Sequence, residues 1–95
     1  MRDYELVFVV SPEVPDENLG ATTEKVSQFI SNRGGSIDKM EPWGRRKLAY
    51  PINDFREGNY VLLQFKMDPS HVTDLESSLR ISEEVLRYLV VRLGE

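Results

Sequence analysis

One pattern, occurring twice, constrains the fold of this chain more than any other feature: an alternating strand-like segment, a proline-marked break, then an amphipathic helical segment. Residues 2–10 alternate, with Tyr4, Leu6, Phe8 and Val10 on one side and Asp3, Glu5, Val7 and Val9 on the other, the period of a strand. Ser11-Pro12 ends that run. Pro15 suits the first turn of a helix, where its missing N–H costs nothing, and acids follow where the helix dipole favours them. Leu19, Val26, Phe29 and Ile30 recur near the 3.6-residue period, and Gly34-Gly35 supplies a left-handed stop. In the second copy, Val61, Leu63, Phe65 and Met67 alternate against Tyr60, Leu62, Gln64 and Lys66. Asp68-Pro69-Ser70 then reads as an N-cap with proline at the first helical position, and Val72, Leu75 and Leu79 line the helix.

Residues 36–52 read as a long strand bent near Pro42-Trp43-Gly44, Asn53 to Gly58 as a polar connection, and residues 85–93 as a last strand. The order βαββαβ predicts an α+β, ferredoxin-like fold: four antiparallel strands with two helices on one face. A chain of 95 residues fits one such domain, residues 1–95, with no room for a second core. At this size roughly 65% of the unfolded surface is buried. In this layout the second strand lies at an edge, where Pro51 breaks no ladder. The uncovered sheet face would show Val7, Val9, Tyr60 and Leu62 with alternate residues of the last strand. So apolar a face predicts a protein or RNA partner.

Charge sharpens that expectation. The net charge is −4, yet Arg45-Arg46-Lys47 run directly into the strand-like Leu48-Ala49-Tyr50. Successive strand residues point to opposite faces, so three adjacent cations cannot share one. A basic strand in an acidic chain predicts a local anionic partner. Residues 13–24 carry Glu13, Asp16, Glu17 and Glu24 without a cation, and residues 68–84 are also acidic; both segments read as helices. Cations gather in the strand segments, including Arg2, Lys39, Lys66, Arg87 and Arg92, so one part can meet phosphates while another meets solvent or a basic protein. The absence of cysteine excludes disulfides and thiolate metal sites and favours a reducing compartment. No apolar run is long enough to span a membrane, and Met1 to Val10 is too short and charged for a secretory signal, so the cytoplasm is expected.

Catalytic readings find little support. His71 is the only histidine, without a second histidine or a cysteine to complete a metal or nucleophilic site, and it reads as a surface residue. Asp16-Glu17 and Glu83-Glu84 are sequence neighbours that spread over a surface rather than converging. Some small acyl-phosphate hydrolases share the topology and bind phosphate after strand one; here that place holds Ser11-Pro12-Glu13, which lacks a donor at proline and repels anions at glutamate. Neither cofactor nor small-molecule substrate is expected. Tyr4 and Tyr88 read as packing residues. Tyr60 faintly resembles the base-stacking aromatic of RNA-recognition domains, but Leu62 stands where a second aromatic is needed.

The chain resembles, essentially end to end, the family of the sixth protein of the bacterial small ribosomal subunit. The resemblance rests on Met1-Arg2-Asp3-Tyr4-Glu5 with Ser11-Pro12, on Gly44 followed by Arg46-Lys47-Leu48-Ala49-Tyr50-Pro51-Ile52, on Gly58-Asn59-Tyr60, and on Leu79-Arg80-Ile81 leading to Val85, Arg87 and Val90-Val91. It implies a non-catalytic role: binding the central domain of small-subunit ribosomal RNA as a heterodimer with another small, basic protein, the eighteenth. It places Arg2, Arg46, Lys47, Arg80, Arg87 and Arg92 at basic positions of the family, as RNA-contact candidates. Tyr50, Tyr60 and Leu62 are candidates for the protein-partner interface. Arg45 falls where the family varies, and Pro42 and Trp43 depart from its commoner residues. An autonomous single-stranded RNA module of the same topology is the alternative.

Overall fold

Proline, glycine and one aspartate set the limits of the helices. The structure, a computed structural model, describes residues 1–52 and 54–94. Its elements are β1 (Arg2–Val10), α1 (Asp16–Asn32), β2 (Ser36–Ile52), β3 (Phe55–Met67), α2 (Pro69–Ile81) and β4 (Val85–Arg92). Pro15 stands at the N-cap of α1, one residue before the expected first turn, and Asp16 and Glu17 occupy that turn. At the other end Gly34 takes φ 81°, and the Gly34 and Gly35 N–H groups donate to the Ser31 and Ile30 carbonyls, closing the helix. Asp68 caps α2: its carboxylate accepts from the Ser70 N–H at 2.9 Å and the Ser70 hydroxyl at 2.7 Å. These bonds, the backbone one first, hold the Asp68 carboxyl below its ordinary range. Helix α2 stops at Ile81, so Glu83 and Glu84 follow it rather than belonging to it.

The strands form one antiparallel sheet in the order β2-β3-β1-β4, with the helices packed against one side. Leu6, Phe8, Val10, Leu63, Phe65 and Met67 are fully buried on that side against Ile30, Leu75 and Leu79 of the helices. Tyr4 belongs to this core and stacks on Phe65, with ring centroids 5.6 Å apart. Thr22 and Thr23, polar and outside the predicted apolar stripe, are buried as well; their hydroxyls donate to the Asn18 and Leu19 carbonyls one turn earlier.

Two expectations are corrected. The polar connection assigned to Asn53 to Gly58 is mostly strand: β3 begins at Phe55, which pairs with Ile52. Asn53 lies outside the described residues, and Asp54 takes φ 69°, a conformation aspartate tolerates. Residues 55–58 escaped the sequence reading because they continue the β2–β3 ladder past the end of β1, where backbone pairing needs no apolar alternation. The last strand ends at Arg92, and the Leu93 N–H donates instead to the Asp3 carbonyl at 2.8 Å.

Strand β2 is an edge strand and bent, as expected. Its register against β3 shifts between Ile37 and Lys39 and again between Pro42 and Gly44, where Gly44 takes φ 84°. Each shift inserts a residue and reverses the side to which the following residues point.

Candidate nucleic-acid and protein interface

Register assigns each cation to a side. Directly paired residues of an antiparallel ladder share a face. Arg46 pairs with Gly58, two residues from Tyr60, and therefore faces the open side of the sheet, away from the helices. Arg45 pairs with Asn59 and Lys47 with Glu57, which puts both on the opposite side. Arg87 pairs with Val9 and Leu89 with Val7, which places both on the open side; Leu62, paired with Val7, joins them.

On the open face an aromatic pair stands beside a guanidinium. Trp43 stacks on Tyr60 with centroids 6.3 Å apart and planes 15° from parallel, and the Arg46 guanidinium carbon lies 5.6 Å from the Trp43 ring. The Trp43 Nε1–H donates to the Glu41 carboxylate at 2.8 Å. That bond first, and Lys39 at 3.3 Å second, hold the Glu41 carboxyl below its ordinary range. Across the sheet, Arg87 Nη1 donates to the Tyr50 hydroxyl and its guanidinium lies over the same ring. Between these groups lies a hollow of about 200 Å³ lined by Val7, Val9, Tyr60, Arg87, Tyr88 and Leu89. Leu89 and Val91 project from β4 with 59% and 43% of their surface exposed, so this face is both apolar and cationic.

The cations differ in how far carboxylates neutralise them. Lys66 lies 2.9 Å from Asp38 and 3.3 Å from Asp3, and hydrogen bonds to these two, Asp38 first, raise its pKa. Arg45 makes a long 3.8 Å pair with Glu57. Arg46, Lys47 and Arg87 form no ion pair with a described carboxylate, which leaves their charge available to a polyanion.

The residues predicted from sequence do not form one patch. Arg46, Arg87, Tyr50, Tyr60 and Leu62 converge on or beside the open face, but Leu62 (7% exposed) and Val9 (3%) are buried there by their neighbours rather than displayed as the sequence suggested. Lys47 points to the other side of the β2–β3 ladder. Arg2, paired with Met67, and Arg92, paired with Tyr4, lie on the helix side at the far end of the sheet, and Arg80 is exposed in the last turn of α2. The Arg87–Tyr50 contact was not foreseen: it joins residues from opposite edges of the sheet, which no local pattern connects. Asn59 was noticed only within Gly58-Asn59-Tyr60; in the structure it is 7% exposed and its Nδ2 has no hydrogen-bond partner among the described residues. Tyr88 is partly buried against the core. His71 is half-exposed, with Nδ1 3.8 Å from Asp74. Among the described residues no cluster of three metal-ligating side chains occurs, and no helix is long and apolar enough to cross a membrane.

Comparison with known proteins adds three findings. Residues 3–92 match the family described as Ribosomal protein S6. Small ribosomal subunit protein bS6 of Caldanaerobacter subterraneus is 44% identical over 95 residues, covering the whole of both chains; that of Moorella thermoacetica is 43% identical, covering all of this chain and 97% of its own. The crystal structure of 30S ribosomal protein S6 from Thermotoga maritima superposes with a TM-score of 0.91 at 38% identity, over 96% of this chain and 86% of that one.

Proposed function

The chain belongs to the ribosomal protein S6 family, structural rather than catalytic constituents of the small ribosomal subunit, and we propose that it binds the central domain of small-subunit ribosomal RNA together with the eighteenth small-subunit protein. As a small-subunit protein it works in the ribosome, in the cytoplasm. One observation carries the proposal: Arg46 and Arg87, without carboxylate partners among the described residues, share a sheet face with exposed Leu89 and Val91. Phosphates take the guanidinium forks, which offer bidentate donors, and the apolar strip beside them suits a protein surface. Arg2, Lys47, Arg80 and Arg92 carry positive charge to other sides, where RNA that wraps the protein would meet them. Tyr50 and Tyr60 border the partner contact, and the buried Leu62 supports that face from within.

An acidic protein with a cationic face gains by docking with a basic one, since the pair then carries a net charge that favours RNA. The test is a binding titration of ribosomal RNA with and without the eighteenth protein. Affinity rises when the partner is present; equal affinity in both arms overturns the cooperative reading. A stand-alone single-stranded RNA module is less well supported, because Trp43 already stacks on Tyr60 and Leu62 provides no second aromatic.

A further inference from the structure

We propose that the cleft between α1 and the bend of β2 is a second docking surface, on the helix side of the sheet, which takes a basic protein segment anchored by one apolar side chain. The cleft has a volume of about 260 Å³, and its walls include Leu19 and Gly20 of α1, Met40 and Pro42 of β2, and Val61 and Asn59 of β3. It exists because the bend carries β2 beyond the cover of α1, leaving Met40, on the core-facing register opposite Leu63, 43% exposed. Methionine adapts its shape to an incoming group. The volume suits one large side chain rather than a cofactor.

Three further observations select the occupant. A Cβ built on Gly20 meets nothing within 4 Å, so the helix wall is bare and a partner backbone can approach it closely. Asp16 and Glu24 stand one turn before and after Gly20 on the same stripe of α1, and neither forms an ion pair among the described residues. Such a wall repels phosphate and attracts lysine or arginine on either side of the anchor. Asn59 borders the same cleft, with its Nδ2 buried and without a hydrogen-bond partner among the described residues; once the amide turns toward the cleft, a main-chain carbonyl brought in with the anchor supplies the acceptor it lacks.

The test uses the full chain, isotope-labelled, titrated with a capped Lys-Lys-Phe-Lys-Lys peptide and with a control in which serine replaces phenylalanine. The phenylalanine peptide moves the resonances of the Met40 methyl, Leu19 and the Asn59 side-chain amide, and the serine peptide binds about tenfold more weakly. Gly20→Gln weakens binding by about the same factor without lowering the thermal midpoint, since glutamine is the better helix former. The double variant Asp16→Asn, Glu24→Gln weakens binding and flattens its salt dependence. The proposal is overturned if neither peptide binds, if both bind equally, if the shifts fall on Leu89, Val91 and Trp43, or if Met40 shifts with protein concentration alone, which would make a second copy the occupant. These readouts contain no RNA, so they stand or fall separately from the ribosomal RNA titration.

Discussion

Arg87 and Tyr50 lie 37 positions apart in sequence and meet across the sheet: Arg87 Nη1 donates to the Tyr50 hydroxyl at 2.9 Å, with the guanidinium carbon 5.5 Å from the ring centroid. The contact ties the outer part of the β2–β3 ladder, which extends past β1, to the strand at the opposite edge. It also places the same arginine where it can serve either the tyrosine or a phosphate.

Tyr50→Phe keeps the ring and removes the hydroxyl. Both side chains are exposed, so global stability changes by about 0.5 kcal/mol or less. Amide exchange in residues 46–52 and 55–58 quickens, because the ladder loses its anchor on β4. Unchanged exchange would mean that the ladder holds its position through backbone pairing alone.

Arg46→Ala and Lys47→Ala together flatten the salt dependence of ribosomal RNA binding by a slope of roughly 1 to 2, corresponding to one or two lost phosphate contacts. The two residues face opposite sides. RNA confined to the open face therefore puts the whole change in the Arg46 variant, and RNA that wraps the ladder divides it between them. A double variant with an unaltered slope would remove both from the RNA surface.

Gly58→Ala and Gly20→Ala have opposite effects. A Cβ at Gly58 would lie 2.2 Å from Val9 Cγ1, so that substitution forces the buried Val9 side chain to shift and costs about 1–3 kcal/mol. A Cβ at Gly20 meets open space within a helix, so alanine there stabilises by roughly 0.5–1 kcal/mol. Urea unfolding of the two variants checks the sign of each effect, and a neutral result at Gly58 would show that the β1–β3 contact yields readily.

Asp68→Ala lowers the thermal midpoint at neutral pH, where the carboxylate accepts both bonds from Ser70. The folded-state pKa of Asp68 is depressed, so its contribution is complete above the unfolded value and disappears as pH falls through the folded one. The gap between wild type and variant narrows on acidification below the ordinary carboxylate range. A gap of constant size across that window would mean that α2 starts without help from the charge.

The strand and helix order could be read directly because its markers are local. Asp68-Pro69 and Gly34-Gly35 act within a few residues, and the alternation of Leu6, Phe8 and Val10 in β1 and of Val61, Leu63 and Phe65 in β3 marks the helix-facing core. The facing of the basic run could not be read, since two register shifts precede it in β2 and each reverses the count. The buried threonines were missed for a related reason: their hydroxyls bond to the preceding turn of their own helix, so polarity did not signal exposure. Pairings between distant edges, such as Arg87 with Tyr50, depend on sheet curvature and leave no trace in local spacing.

The kink at Gly44 has a bearing on life before assembly. A newly made copy waits among others with the outer edge of the 17-residue strand β2 unpaired along its rim. A straight, apolar rim would recruit further copies into a growing stack. The crook in β2 and the three cations beyond it deny such recruits a straight, neutral template.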